Sequence, residues 1–149
     1  MLPEGKLVRG ELLIRELALP EDVKLTKKSL VRWVALSLGL ISPNESRTIL
    51  LDVLEALINF HIKKIQPTTK DIINELARMG VEADEKTVYY HLLRMKEAGV
   101  VGKRDGKHFF ADGEEGKLSE MLRRVYQQRF DRSFDKIAEA LNVVESYKR

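Results

Sequence analysis

A mainly helical fold with one small β-hairpin is what the chain predicts, on three features. From residue 26 to residue 99, apolar residues recur at helical spacing in segments that open on Ser, Thr or Asp and close on Gly or before Pro. Asp105-Gly106 then falls between Val100-Val101 and Phe109-Phe110, and Asp-Gly between apolar runs is a strong hairpin signal. From Leu118 to Val144 the helical period returns without an interrupting glycine or proline.

At 149 residues the chain is long enough for one domain with an extension. The elements divide it into a partly helical N-terminal extension (1–41), a central domain (42–113) and a C-terminal helix (114–149). A charged fraction of 33% beside 44% hydrophobic residues excludes wholesale disorder. The absence of cysteine excludes disulfides, thiolate zinc sites and cysteine nucleophiles. No apolar run approaches the roughly 18 residues of a membrane span, since Leu30 to Ile41 is interrupted by Arg32. The N-terminus lacks the pattern of a secretion signal, so a cytoplasmic protein is expected. Few Asn and Gln beside abundant Lys, Arg and Glu would suit a thermophile.

Residues 1–25 are the least patterned. Leu12-Leu13-Ile14 and Leu17-Ala18-Leu19 read as a short helix stopped by Pro20, with an irregular strand as the alternative. Thr26 is placed to cap a helix running to about Leu38, with Gly39 near its end. Ser42-Pro43-Asn44-Glu45 has the form of a capping box, with serine at N-cap, proline at N1 and glutamate at N3. It predicts a helix over 43–65 that ends before Gln66-Pro67. The apolar residues of this helix cover well over half its circumference, more than one core face requires. Either the Thr26–Leu38 helix or a second subunit could cover the other side. Thr68 or Thr69 then caps a helix through Met79 closed by Gly80, and Asp84 caps one through Glu97 or Ala98 closed by Gly99. The hairpin spans 100–111.

From Pro67 to Gly113 the order is therefore helix, turn, helix and basic-tipped hairpin. It resembles the winged helix-turn-helix of ArsR-, MarR- and PadR-like transcriptional regulators. Thr87-Val88-Tyr89-Tyr90-His91-Leu92, Met95 and Ala98-Gly99-Val100-Val101 carry most of the resemblance, which covers residues 43–113. It implies a winged helix-turn-helix fold with an N-terminal helical extension and a long C-terminal helix. It also implies that the 84–98 helix enters the major groove of duplex DNA.

With Val88, Leu92 and Met95 on the buried face, Lys86, Tyr90 and Arg94 align on the opposite face, with Thr87 and His91 towards one flank. The resemblance implies base and phosphate contacts for these five, Arg94 being suited to guanine or phosphate. It implies phosphate or minor-groove contacts for Lys103, Arg104 and Lys107, beside His108 on the same hairpin. Thr68, Thr69 and Lys70 lie at a helix N-terminus that favours phosphate, although capping alone explains the threonines. The plainer explanation for all these charges is a solvated surface. Leu93 tilts outward too, and is expected to pack against another part of the chain. Between Gln66 and Gly113, five Lys and three Arg are balanced by four Asp and four Glu, which implies a moderate affinity that depends on pairing of subunits.

The C-terminal helix carries two apolar faces. Leu118, Met121, Leu122, Val125 and Tyr126 form one; Phe130, Phe134, Ile137, Leu141 and Val144 form another, with Arg129 where the first would continue. A kink at Asp131-Arg132-Ser133, or two different partners, would explain the rotation. The three-four spacing from Phe134 onward suits a coiled-coil seam, so the first half is expected on the core and the second in a homodimer. The 43–65 helix is a second possible dimer surface, and an intramolecular cap is the plainer alternative.

No phosphate-binding glycine loop, nucleophile elbow or HExxH motif is present. His61, His91 and His108 lie on different elements, and Asp131, Asp135 and Glu139 read as an outer charged face. No enzyme activity, metal or cofactor is expected. The function expected is that of a dimeric duplex-DNA-binding transcriptional regulator. The rivals are a protein-interaction module and a single-strand binder that stacks bases on Tyr89, Tyr90 and the hairpin aromatics.

Overall fold

Helix α2 (Ile49–Ile62) is the element around which the others pack. The computed structural model describes residues 3–45 and 49–148. Around α2 it places α1 (Lys27–Ser37), α3 (Thr69–Arg78), α4 (Glu85–Glu97) and the β1–β2 hairpin (Val101–Arg104, Lys107–Phe110), followed by α5 (Leu118–Ser146). Leu50, Val53, Leu54, Ala56 and Leu57 of α2 are all buried. Helices α1, α3 and α4 and strand β2 each contact it. Its wide apolar surface is thus covered within the chain, which accounts for the two-sided burial without a second subunit. Only its C-terminal end leaves large apolar side chains exposed, at Ile62 and at the adjoining Ile65.

The helix boundaries follow their local signals. Thr26 caps α1 by accepting from the Ser29 amide. Thr68 and Asp71 form a reciprocal capping box on α3, and Asp84 accepts from the Thr87 amide at 2.8 Å on α4. At the far end of α4, Gly99 has φ 81° and the Val100 amide returns to the Met95 carbonyl at 3.0 Å, the six-to-one bond of a Schellman stop. Helix α2 ends the same way at Lys64, an unusual non-glycine residue with φ 61°, where the Ile65 amide reaches the Phe60 carbonyl.

Two sequence expectations need correction. The Ser42–Glu45 segment is a hydrogen-bonded turn rather than the first turn of α2, which begins at Ile49 among the described residues. The Glu45 carboxylate does reach the Ser42 amide at 3.0 Å, which is one half of a capping box. Residues 46–48, inside the helix predicted over 43–65, lie outside the described residues.

Residues 8–20 form no helix. They run as an irregular strap between two 3-10 turns, Glu4–Leu7 and Glu21–Leu25. The strap is held from outside itself. The Arg15 amide donates to Ser37, and its guanidinium donates to the carbonyls of Leu36 and Ile41 at 2.7 and 2.8 Å. The Trp33 indole donates to the Ala18 carbonyl at 2.7 Å. These partners satisfy strap groups that a helix would have paired internally.

The hairpin pairs Val101 with Phe110 and Arg104 with Lys107, closed by Asp105 and Gly106, both at positive φ as a two-residue primed turn requires. Helix α5 is continuous, so the two apolar faces do not arise from a break. Met121 and Tyr126 are buried against the body, whereas from Phe130 to Lys148 every residue except Ala138 is exposed. Arg129 sits at the transition. Its guanidinium donates to the Ala98 carbonyl at 2.6 Å and to the Glu11 carbonyl at 2.9 Å, joining α5 to the end of α4 and to the strap.

A Cβ on Gly99 would lie 2.6 Å from Arg129 Nη1, whereas one on Gly80, at a similar φ, would meet nothing. Gly80→Ala is expected to lose only the left-handed backbone cost, about 1–2 kcal/mol. Gly99→Ala is expected to lose about 1–2 kcal/mol more as the arginine is displaced from its carbonyls. Urea unfolding of the two variants checks this, and equal losses would show that Arg129 adjusts freely.

Candidate nucleic-acid interface

The amphipathic pattern of α4 decides what it can present. Val88, Leu92 and Met95 are fully buried, as expected. His91 is only 5% exposed and sits edge-on to Tyr90 at 5.2 Å, so it belongs to the packed side and is removed from the expected contact set. Arg94 is also engaged. It donates to the Leu40 carbonyl at 3.0 Å and pairs with Glu45 at 3.7 Å, fastening α4 to the turn after α1. The exposed residues of α4 are instead Glu85, Lys86, Tyr89, Tyr90, Leu93 and Glu97, with Thr87 half-buried. Tyr89, Tyr90 and Leu93 are 52%, 47% and 41% exposed. Among the described residues nothing buries Leu93, which stays partly open to solvent.

Bonds within the chain decide which charges on this side are engaged. Among the acids of 66–113, Asp71 and Asp84 are taken up as helix caps. Glu75 is buried, accepts from Asn59 and pairs with Arg78, and Asp112 holds Arg124 at 3.0 Å. Bonds to Arg124 and to the Glu114 amide keep the Asp112 carboxyl below the usual carboxylate range. Among the bases, Arg78 and Arg94 are matched to acids. Lys70, Lys86, Lys96, Lys103, Arg104 and Lys107 form no ion pair among the described residues. Arg104 lies over the Phe109 ring at 5.2 Å. Capping binds Asp71 and Asp84 to amides without removing their charge, so among the described residues Asp71, Glu82, Asp84, Glu85, Glu97 and Asp105 are as free of ion pairs as the six cations.

Two of those cations, Lys96 and Lys103, gather around His108 where the hairpin meets α4. Lys103 pairs across the hairpin with His108, whose Nε2 lies 3.0 Å from Thr69 Oγ1 at the start of α3. The His108 amide also donates to the Pro67 carbonyl at 2.7 Å. Burial pushes the His108 pKa down to about 4, with Lys96 and Lys103 adding to the shift. Burial and then Lys103 lower Lys96 as well. Thr68 and Thr69 are thus committed to capping and to His108, while Lys70 remains exposed. Tyr89, Leu93 and Lys96 belong to this surface but were not among the expected contacts. The helical spacing places Leu93 outward, as expected, but gives no reason to leave it exposed.

His61 is half-buried on α2, with Nε2 2.9 Å from the Gly116 carbonyl and its ring edge-on to Phe110. Among the described residues no three His or carboxylate side chains converge on a point where they could hold a metal ion. Asp131, Asp135 and Glu139 are exposed on α5. Among the described residues no helix is long and apolar enough to cross a membrane. No family model, curated protein or solved structure matches the chain.

His108 is fully buried with a depressed pKa, so the folded state takes up its proton only well below the unfolded value of 6.5. Its neutral form supports the fold above about pH 6.5, and that support is lost as pH falls through 6.5 towards 4. The full shift corresponds to about 3 kcal/mol. Urea unfolding between pH 4 and 7 is expected to show this decline, and His108→Gln to lack that part of it.

Proposed function

We propose that the chain is a winged-helix protein that binds duplex DNA as a homodimer and acts as a transcriptional regulator. The observation that carries this reading is the set of six cations without acid partners on α3, α4 and the hairpin, around an exposed α4 face. On this reading α4 is the recognition helix and the hairpin is the wing. Lys86 and Tyr90 lie on the groove side, while Lys70, Lys103, Arg104 and Lys107 approach phosphates. Arg94 and His91 take no part, because packing has claimed both.

The exposed half of α5 supplies the pairing surface. Phe134 and Leu141 fall at one core position of a heptad, and Phe130, Ile137 and Val144 at the other, all of them exposed. Asp131, Ala138 and Glu145 flank one side of the seam, with Ser133, Ala140 and Tyr147 on the other. An antiparallel pair would set Asp131 near the partner copy's Glu145, twice. A parallel pair avoids that repulsion and keeps both bodies at one end. A second reading is favoured by Tyr89 and Tyr90, whose exposed rings beside free cations also suit stacking of single-stranded bases.

Duplex retention in a mobility-shift assay is expected to fall steeply as salt rises. Combining Lys103→Ala with Lys107→Ala is expected to reduce the log–log salt slope by about 2 per subunit, or about 4 for the dimer, since each released counterion contributes about 0.9. No retention of any duplex at low salt would sink the DNA reading. Preferential binding of single strands that is lost in Tyr90→Ala would establish the second.

Ile137→Asp combined with Leu141→Asp is expected to leave the helical content intact and yield a monomer in sedimentation. A dimer that survives both changes would place the interface elsewhere.

A further inference from the structure

We propose that α4 reads thymine 5-methyl groups in the major groove through Leu93 and Tyr90. The inference rests on the duplex-DNA reading and adds the base chemistry that the helix can recognise. At about 100° per residue, Lys86, Leu93 and Glu97 lie within about 20° of one line along α4, with Tyr90 about 40° to one side and Tyr89 about 60° to the other. All five are exposed. Leucine thus occupies the centre of the face that a groove-bound helix would press against the base edges.

Bidentate recognition of guanine is usually made by arginine and that of adenine by asparagine or glutamine. Helix α4 contains no asparagine or glutamine, and its one arginine is tied to Leu40 and Glu45. Lys86, in the first turn, can donate to a guanine or a phosphate. What remains in the middle of the face is aliphatic and aromatic, and the major-groove feature that such groups recognise is the methyl of thymine. Leu93 and the Tyr90 ring gain by covering it, because both surfaces leave water together.

Charge selects DNA over a protein as the occupant. Lys86 lies on the same line as Leu93, and Lys70, Lys103, Arg104 and Lys107 stand exposed and without acid partners on the flanking elements. Glu85 offsets Lys86 on the helix, but on the hairpin Lys103, Arg104 and Lys107 outnumber the one acid, Asp105. The apolar centre is edged there by net positive charge, which matches a methyl-lined groove edged by phosphates. Glu97 ends the line at the C-terminal side, so the approach is by the half of the helix from Lys86 to Leu93.

The test compares the full chain on alternating poly(dA-dT), on poly(dA-dU), which differs only by the missing methyl, and on poly(dG-dC), all as duplexes at low salt. A methyl group is worth about three- to four-fold in affinity when fully covered. Two contacted methyls per subunit would therefore weaken binding to the uracil duplex by about ten-fold for each subunit, or about 100-fold for a dimer. Leu93→Ala is expected to weaken the thymine duplex towards the uracil value while leaving the uracil duplex unchanged. Lys103→Ala is expected to weaken both alike. Equal binding of the thymine and uracil duplexes, or preference for poly(dG-dC), would overturn the inference and leave the DNA reading standing. So would a uracil penalty unchanged in both Leu93→Ala and Tyr90→Ala, since it would then come from duplex shape. Failure to retain any of the three duplexes would remove the DNA reading itself.

Discussion

Backbone carbonyls at helix ends, in the turn after α1 and in the strap are the constraint on which this fold turns, and three arginines meet it. Arg15 reaches the carbonyls of Leu36 and Ile41 at the end of α1, Arg94 that of Leu40, and Arg129 those of Ala98 and Glu11. The last carbonyls of a helix have no intrahelical donor, and the negative end of the helix dipole gathers there. A guanidinium is suited to both, since it carries charge and several N–H donors on one rigid plane. Each of the three lies on a different element from the carbonyls it serves. The strap, the turn after α1, α4 and α5 are thereby joined by charge-assisted bonds around an apolar core centred on α2.

This use of arginine shapes the outer surface. With Arg94 turned inward, the exposed face of α4 keeps lysine and tyrosine at its start and leucine at its centre. Acids are withdrawn in parallel: Asp71 and Asp84 face amides at helix starts, Glu75 is buried against Asn59 and Arg78, and Asp112 is held by Arg124. Ion pairs engage two acids of the segment, Glu75 and Asp112, and two of its bases, Arg78 and Arg94, so its unpaired charges stay balanced overall. Lys96 and Lys103 remain close enough for each to act on His108, with burial keeping that ring neutral. Positive character is confined to the hairpin, where the exposed Lys103, Arg104 and Lys107 stand against one exposed acid, Asp105.

Much of the architecture was legible where the signal and its effect lie within a few residues of one another. Thr26, Thr68 and Asp84 cap the helices expected of them, Gly80 and Gly99 end two of them, and Asp105-Gly106 turns the hairpin. The strap was misread because Leu12 to Leu19 has leucines at helical spacing, yet its hydrogen-bond partners sit on α1 and α5, far along the chain. Pro43 and Glu45 suggested a helix start, but Glu45 also answers Arg94 from α4, and the turn that results precedes the helix. On α4, Arg94 and Leu93 are neighbours in sequence and about 100° apart around the axis. That rotation puts one against the body and the other in solvent.

Local sequence is enough to set the helices, their caps and stops, the hairpin register and the apolar periodicity of α2, α4 and α5. Backbone bonding and side-chain spacing over three to five residues are enough to specify those features. Tertiary structure alone decided that α2 is covered by its own chain, that the strap stays extended, and that Arg94, Arg129 and His91 serve the interior. It also decided that the end of α5 stays bare. Whether a polar group faces water, a carbonyl or a partner depends on which elements meet, and the meeting is set by burial of the whole apolar surface rather than by local sequence.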